Sequence, residues 1–337
     1  MSEKKRIVYI DYLKGLTILW VVWFHTPHPS FVGYSFRLPL FFFVSGIFFK
    51  AYPFKEFVKK KVNTLVVPFI FFYFLYYAWM IWMHTMKGGT LESFPYDCIF
   101  QIFAPHKATQ TFYVDPPLWF ICALIILQFM LYGLVKVVRR DWLLLLISTA
   151  VSALGVLYFY QRETYFMFGR CLPYFVYYVA GFVLGKGLIN ILEGGRGKRL
   201  PWLLMTTSFL VFVGLALLKD VWPALSDTKG FTYYLGTALN YIEIFATIIF
   251  CVYVIKYLSV LPILKPLKYF GTNSYIVLGT HEMILTMMKI SYKHFFGKPG
   301  VWGGLVILAA TIVLLVPVIW LLNKSCPVLV GKNKLWK

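Results

Sequence analysis

Long apolar segments follow one another along almost the whole of this 337-residue chain, and they constrain its fold more than any other feature. A segment of about 18 or more apolar residues can cross the hydrocarbon core of a bilayer as a helix. A helix also satisfies its own backbone hydrogen bonds, as a spanning segment must. The sequence therefore predicts an all-α, polytopic integral membrane bundle of about ten transmembrane helices. The ten segments are 7–27, 35–52, 64–84, 117–136, 142–160, 171–190, 201–219, 232–256, 269–289 and 301–323.

Composition and charge placement agree with a membrane protein. The chain is 60% hydrophobic and 14% charged, whereas soluble domains contain about 25% charged residues. A net charge of +20 is typical of a protein that binds nucleic acid. Here, however, the lysines and arginines form short clusters between apolar segments instead of one continuous face. We therefore expect contact with membrane lipid and no nucleic-acid partner.

The basic residues also predict an orientation, because loops rich in lysine and arginine stay in the cytoplasm. With a cytoplasmic N-terminus, the inner segments hold 22 of the 33 basic residues, the outer segments hold ten, and Lys14 lies within a span. Ten spans then place both termini in the cytoplasm. We expect a single multi-pass domain over residues 1–337 in the plasma (cytoplasmic) membrane, with 85–116 as an outer loop or lid. Homo-oligomer formation is left open.

Lys14 and His25 stand eleven residues apart in the first apolar segment. At about 100° and about 1.5 Å per residue, eleven steps make almost three turns, so both side chains lie on one helix face, roughly 16 Å apart along the axis. Ionisable groups at membrane depth usually face a protein interior or an aqueous cavity. The pair therefore indicates a buried polar track, and the alternative is a snorkelling lysine with an interfacial histidine.

Other ionisable residues of the spans are candidates for the same chamber. His25 has the pKa range of a base that takes a proton from a hydroxyl. Arg37 opens the second span, where it anchors the helix at the interface or stabilises an oxyanion. Glu243, His281 and Glu282 lie deep in later spans, and a carboxylate there is protonated, paired or functional. We expect these groups to converge with His25, with Arg37 nearest to it and Glu243 and His281 below it near mid-membrane. At that depth a carboxylate reaches His25 through water or an intermediate group, and a direct contact requires a tilted or unwound first helix.

A cluster of basic residues precedes the third span in KEFVKKKVNTLVVP, where Lys59, Lys60 and Lys61 are consecutive. Such a cluster sets topology and binds anionic lipid headgroups, or it holds the phosphates of a soluble nucleotide donor. The five cysteines have no metal-ligand spacing. We therefore expect no metal.

Several segments, in order along the chain, resemble the membrane-bound acyltransferase-3 family. YIDYLKGLTILWVVWFH has the family's basic residue, ten intervening residues and a histidine, here Lys14 and His25. FRLPLFFFVSGIFF resembles its Phe-rich second helix. Three further segments are less specific alone: KKKVNTLVVPFIFF, PPLWFICALIILQFMLYGL and YFGTNSYIVLGTHEMIL. The short, single-domain branch that includes sugar O-acetylases is the most similar part of the family.

The resemblance implies transfer of an acyl group, most often acetyl from cytoplasmic acetyl-CoA, to a sugar hydroxyl of a surface polysaccharide or lipid-linked glycan. Acetyl-CoA is then the co-substrate, and a carbohydrate or glycolipid is the acceptor. Many members have an arginine pair where this chain has only lysines, so donor binding through Lys59, Lys60 and Lys61 departs from the family's pattern. The candidate catalytic residues are Lys14, His25, Arg37, Glu243, His281 and Glu282.

A transporter or flippase of a lipid-linked sugar or small solute is the alternative function, because ten helices with buried charges suit it equally well. No clear inverted repeat or pair of interrupted helices supports that alternative. A non-catalytic scaffold would explain the hydrophobicity but not the stripe of Lys14 and His25.

Overall fold

The computed structural model describes residues 7–33, 36–194, 199–226 and 230–333. Regular structure in these ranges is helical, and the extended contact within them is an isolated bridge between His106 and Thr164. The predicted all-α class is confirmed. The α-helices are α1 (Val8–Phe24), α2 (Arg37–Ile47), α3 (Phe54–Lys61), α4 (Val67–Met86), α5 (Trp119–Val137), α6 (Asp141–Leu154), α7 (Phe168–Cys171), α8 (Phe175–Leu192), α9 (Arg199–Val221), α10 (Gly230–Leu258), α11 (Lys265–Thr272), α12 (Ser274–Phe296) and α13 (Val301–Ser325).

Eight helical stretches of the described residues are long and apolar enough to cross a membrane. The chain is therefore a polytopic membrane protein. The predicted first and ninth spans correspond to α1, which has only 17 residues, and to the α11–α12 pair, in which α12 carries several ionisable groups. The total of ten spans and the cytoplasmic termini stay predictions.

Prolines set several of the helix boundaries. α1 ends before Pro27 and Pro29, which cannot donate a backbone hydrogen bond. α3 continues into α4 through a π-helical turn, Val62–Val66, immediately before Pro68. Side chains satisfy carbonyl groups around this turn: Asn63 Nδ2 donates to Lys59 O, Thr64 Oγ1 to Lys60 O, and Tyr275 OH to Leu65 O. The turn thereby joins the basic segment to α12.

α1 lies at the centre of the bundle, where it contacts α2, α10, α11, α12 and α13. Its closest partner is α11, which runs antiparallel beside it, with Leu267 next to Gly15 and Gly271 next to Asp11. Only glycine lets the two backbones approach so closely, as small residues do between membrane helices. The buried apolar side chains form one cluster that extends from Tyr9 to Val330.

The outer segment 85–116 is held down by buried side chains. Phe94, Cys98, Phe112 and Val114 are all buried, and a 3₁₀ helix spans Tyr96–Phe103. The predicted lid therefore has anchors of its own, while its function as a cover of the outer mouth stays a prediction.

Candidate active site

The stripe of α1 that carries Lys14 and His25 faces a cavity inside the bundle. Lys14, Ile18 and Val21, which follow one another at helical spacing, line a cavity of about 110 Å³. His25 continues the stripe as the C-terminal cap of α1. The Lys14 part of the stripe therefore faces the protein interior and not lipid. The remaining walls come from α2, α5 and α12 (Leu38, Phe41, Ser45, Phe120, Ile121, Leu124, Ser274, Tyr275, Leu278).

Lys14 is half-buried at the inner part of this cavity. Its ammonium group lies 5.1 Å from the centroid of the Phe48 ring, within the range of a cation–π contact. Tyr275, another lining residue, is bonded to Leu65 O at the π-helical turn. The inner end of the cavity is thus linked to the segment that follows Lys59, Lys60 and Lys61.

His25 meets a carboxylate directly. Glu282 Oε2 lies 3.6 Å from His25 Nδ1, and the side chains are 19% and 33% exposed, respectively. The His25 amide donates to Val22 O at 3.2 Å, so the last turn of α1 fixes the backbone from which the imidazole projects. A carboxylate beside Nδ1 orients the imidazole ring and stabilises its protonated form.

His281 forms the third side of this group. Its ring centroid lies 5.4 Å from that of His25, and its side chain is fully buried. His281 Nδ1 lies 2.9 Å from Val277 O and 3.0 Å from Leu278 O. Carbonyl oxygens only accept, so Nδ1 carries the proton and Nε2 keeps its lone pair. Among the described residues Nε2 has no hydrogen-bond partner, which leaves it as an acceptor for a hydroxyl or a water.

The direct contact between His25 and Glu282 corrects our expectation that a carboxylate reaches His25 only through an intermediate. Ser274, the first residue of α12, lines the cavity together with Lys14. α11 lies beside the inner half of α1 and runs in the opposite direction, with Gly271 next to Asp11, so α12 begins near the inner end of the cavity that Lys14 lines. Glu282 is eight residues further, about 12 Å, close to the roughly 16 Å between Lys14 and His25. The break at Asn273 thus raises Glu282 to the level of His25.

Asp115 is a buried carboxyl group that the sequence reasoning missed. It precedes Pro116 and Pro117 in a left-handed backbone conformation with φ of 51°, which is uncommon for a residue other than glycine. Its side chain is fully buried, and both carboxyl oxygens lack a hydrogen-bond partner among the described residues. Burial, and to a smaller extent the Glu282 carboxylate, raise the pKa of Asp115 well above its usual range. The signal in the sequence was an acidic residue directly before the Pro-Pro pair that opens α5.

Arg37 contacts Phe24, the residue that precedes His25. It is 8% exposed, and its guanidinium carbon lies 3.7 Å from the centroid of the Phe24 ring. It also lies within electrostatic range of His25 and of Tyr174. Arg37 is therefore in the predicted neighbourhood, and its assignment as the nearest residue to His25 stays a prediction.

Glu243 belongs to a different place. Its buried carboxylate forms an ion pair with Lys219 of α9, which also donates to Asn240 Oδ1 at 3.3 Å. This corrects the expectation that Glu243 joins the chamber of His25. A carboxylate at membrane depth needs a compensating charge, and Lys219, from the preceding span, supplies it.

The three consecutive lysines are the last residues of α3, directly before the π-helical turn. Lys60 is exposed and pairs with Glu56, while its ammonium group lies 3.2 Å from the centroid of the Tyr52 ring. Lys61 lies 5.2 Å from the centroid of the Phe57 ring. The structure thus groups these lysines at one end of the bundle, and donor binding by them stays a prediction.

The arrangement of His25, His281 and Glu282 suits proton transfer near a buried cavity. Their potential ligand atoms also lie within 4.8 Å of one another, a grouping that is compatible with a divalent cation. Our expectation of no metal stays a prediction.

A helical membrane bundle with a histidine–carboxylate pair beside an internal cavity defines a class of integral membrane enzyme. Residues 7–324 match a family described as an acyltransferase domain. The chain belongs to the acyltransferase-3 family, and it is a membrane acyltransferase. No curated protein and no solved structure matches it.

Proposed function

We propose that this membrane acyltransferase transfers an acetyl group from cytoplasmic acetyl-CoA to a hydroxyl group of a sugar, on a surface polysaccharide or a lipid-linked glycan, in the plasma membrane. The observation that supports this proposal most strongly is the contact of 3.6 Å between His25 and Glu282. His25 lies on the stripe of α1 on which Lys14, Ile18 and Val21 line the cavity.

His25 acts as the general base in this proposal. Its Nδ1 faces Glu282, so Nε2 is the atom that accepts the proton of the acceptor hydroxyl. The hydroxyl oxygen attacks the thioester carbonyl carbon, a C–O bond forms, and the C–S bond breaks. The proton taken by His25 then passes to the sulfur of the departing CoA. The Glu282 carboxylate stabilises the imidazolium between these two transfers.

A cation stabilises the negative charge that develops on the thioester oxygen. Arg37, beside Phe24, and Lys14, at the inner part of the cavity, are the two candidates on this side of α1. Lys14 lies roughly 16 Å along the helix axis from His25. Arg37 is therefore assigned to the oxyanion, while Lys14 is assigned to the incoming donor.

The small volume of the cavity limits which part of the donor can enter it. A volume of about 110 Å³ is smaller than that of a typical ligand pocket of about 300–1,000 Å³. It accommodates a chain that carries a thioester at its tip, whereas the nucleotide part of CoA stays at the cytoplasmic end near Lys59, Lys60 and Lys61. The substrates then meet at His25 from opposite sides of the membrane.

Transfer of labelled acetyl groups tests this function. Purified protein in proteoliposomes is given acetyl-CoA labelled in the acetyl group on one side and a glycan extract on the other, and label in the glycan is measured. We expect labelled glycan only when the donor is on the cytoplasmic side. Movement of unmodified glycan across the membrane, without any acetyl transfer, would instead support the flippase alternative.

A further inference from the structure

A second and larger cavity lies between α2, α8 and α10, outside the group around His25. Its volume is about 530 Å³, within the range of small-molecule sites. Its walls include Thr109 of the outer segment and Pro39 of α2, two residues after Arg37. Under the predicted orientation the cavity opens near the outer face, where a glycan acceptor is located.

The walls of this cavity combine aromatic rings with polar groups. Tyr177 and Tyr241 stack at 5.3 Å between centroids, and Tyr174 stacks on Phe42 at 4.9 Å. Asn240 accepts from Lys219 through Oδ1, so its NH₂ group remains available as a donor. Aromatic faces pack against the C–H face of a sugar ring, and amide and hydroxyl groups bond its hydroxyls.

Arg170 gives the cavity a positive charge. Its guanidinium carbon lies 3.9 Å from the Trp119 ring centroid, and Nη1 donates to Gln110 O. Within the described ranges no carboxylate forms an ion pair with Arg170. A guanidinium with several unused donors is suited to a phosphate or carboxylate, which it can bind with two parallel hydrogen bonds.

An apolar cavity adjoins this polar one. Its volume is about 480 Å³, and Val156, Thr237 and Tyr241 line both cavities. Two of its polar residues are already satisfied: Ser152 Oγ donates to Leu172 O and accepts from Val176 N, and Thr149 donates to Leu145 O. The second cavity therefore offers mainly apolar contacts, of the kind that a hydrocarbon chain makes.

We propose that the two cavities form one bipartite acceptor site for a sugar joined through a phosphate to a hydrocarbon chain. The sugar lies among the tyrosines, the phosphate binds Arg170, and the chain fills the apolar cavity beside Ala238. This inference rests on the proposed function and specifies its acceptor. The wall that the two cavities share supports this inference. A free sugar would leave the apolar cavity without contacts, and a simple lipid would leave the polar cavity without contacts.

Binding of three matched probes to purified protein in lipid nanodiscs tests the site. They are glucose 1-phosphate, the same phosphate esterified with a ten-carbon prenyl chain, and the neutral decyl glucoside. We expect the wild type to bind the prenyl phosphate sugar at least tenfold more tightly than either of the others. Any one of three results overturns the proposal. The two phosphate probes bind equally with and without the chain, the neutral and charged chain probes bind equally, or the prenyl phosphate sugar does not bind.

Two variants test the phosphate-binding part and the chain-binding part of the site separately. Arg170→Gln should remove the preference for phosphate over the neutral glycoside, whereas Arg162→Gln should keep it. Arg162 is the matched control, because it lies over the Tyr158 ring and does not line the cavity. Ala238→Phe should remove the gain from the chain and leave binding of glucose 1-phosphate unchanged, since Ala238 lines only the apolar cavity. Ala238 is exposed, so this variant tests the proposal even where Arg170→Gln fails to fold.

The acyl-transfer assay separates failure of the site from failure of the function. Binding with the expected pattern but without any acetyl transfer would refute the function and keep the site. Acetyl transfer with the same KM for the acceptor in the wild type, Arg170→Gln and Ala238→Phe would refute the site and keep the function.

Discussion

At the end of α1, His25 lies between a carboxylate and a second histidine, and each of these neighbours has a separate effect on it. Glu282 faces Nδ1, which leaves Nε2 for the substrate. His281 has its proton fixed on Nδ1 by two backbone carbonyls and therefore presents a lone pair to the same space. One side of the space around His25 can thus stabilise positive charge, and the other can accept a hydrogen bond.

His25→Ala should abolish acetyl transfer, because His25 is the proposed base and its imidazolium is the one that Glu282 stabilises at Nδ1. Glu282→Gln should lower kcat by roughly 10²-fold, since general-base catalysis contributes about 10²–10⁴-fold and depends on the stabilised imidazolium. His28→Ala is the matched control: His28 stacks on Phe24 and bonds to Pro29 O. Initial rates at equal amounts of inserted protein measure these effects. Full activity of His25→Ala would refute the mechanism.

Asp115→Asn should change how stability depends on pH. A folded-state pKa above the unfolded value means that, between the two pKa values, the folded protein holds a proton that the unfolded chain has lost. The free energy of unfolding therefore decreases as pH rises between these two pKa values. The slope is about 1.4 kcal/mol per pH unit in that window, and the asparagine variant should lose it. Thermal unfolding in detergent from about pH 4 upward measures this. Parallel curves for the two proteins would show that Asp115 is ionised in the fold.

The pairing of α11 with α1 is an element-scale feature with direct consequences for the site. Because the two helices pack through Gly15 and Gly271, α11 stays in the inner half of the bundle, and α12 begins at Ser274, after the break at Asn273. The position of Glu282 next to His25 depends on this break.

Gly271→Ala should disturb that arrangement. The added methyl group would meet the Asp11 backbone, and overpacking of this kind costs about 1–3 kcal/mol. We expect a lower unfolding temperature and a lower kcat, because α12 shifts relative to His25. Gly133→Ala is the control, since a Cβ at Gly133 has nothing within 4 Å. The proposed coupling fails if Gly271→Ala unfolds earlier but keeps its kcat.

Particular residues show what the sequence could and could not predict at this scale. The apolar segments predicted the helices, and the spacing of Lys14 and His25 predicted that their side chains share one helix face. Both predictions follow from local periodicity. The position of Glu282 could not be predicted by counting residues from helix ends, because a broken helix does not advance steadily through the membrane. The partner of Glu243 is 24 residues away in another helix, and no local pattern identifies such a contact. Asp115 was missed for the same reason, since its burial depends on its neighbours.

At the scale of the whole molecule, the structure has three regions that suit three parts of one reaction. The basic turn after α3 is joined to the Lys14 cavity through Tyr275. The stripe of α1 that lines this cavity continues to His25, which lies beside Glu282. Beyond Arg37, the tyrosine-lined cavity begins at Pro39. A donor that arrives at one end and an acceptor that arrives at the other can thus meet at the histidine without either one crossing the bilayer.

Replacing Lys59, Lys60 and Lys61 together with glutamine should raise the KM for acetyl-CoA and leave kcat almost unchanged. The phosphates of CoA are anionic, and lysines act on them as point charges that salt screens. The increase in KM with ionic strength should therefore be smaller in the variant than in the wild type. Arg139→Gln with Arg140→Gln is the control, because these residues form another basic cluster on the predicted cytoplasmic side. Protease access must show that orientation is retained, since lysine clusters also set topology. An unchanged KM in a correctly oriented triple variant would assign these lysines to topology alone and place the nucleotide of the donor elsewhere on the inner surface.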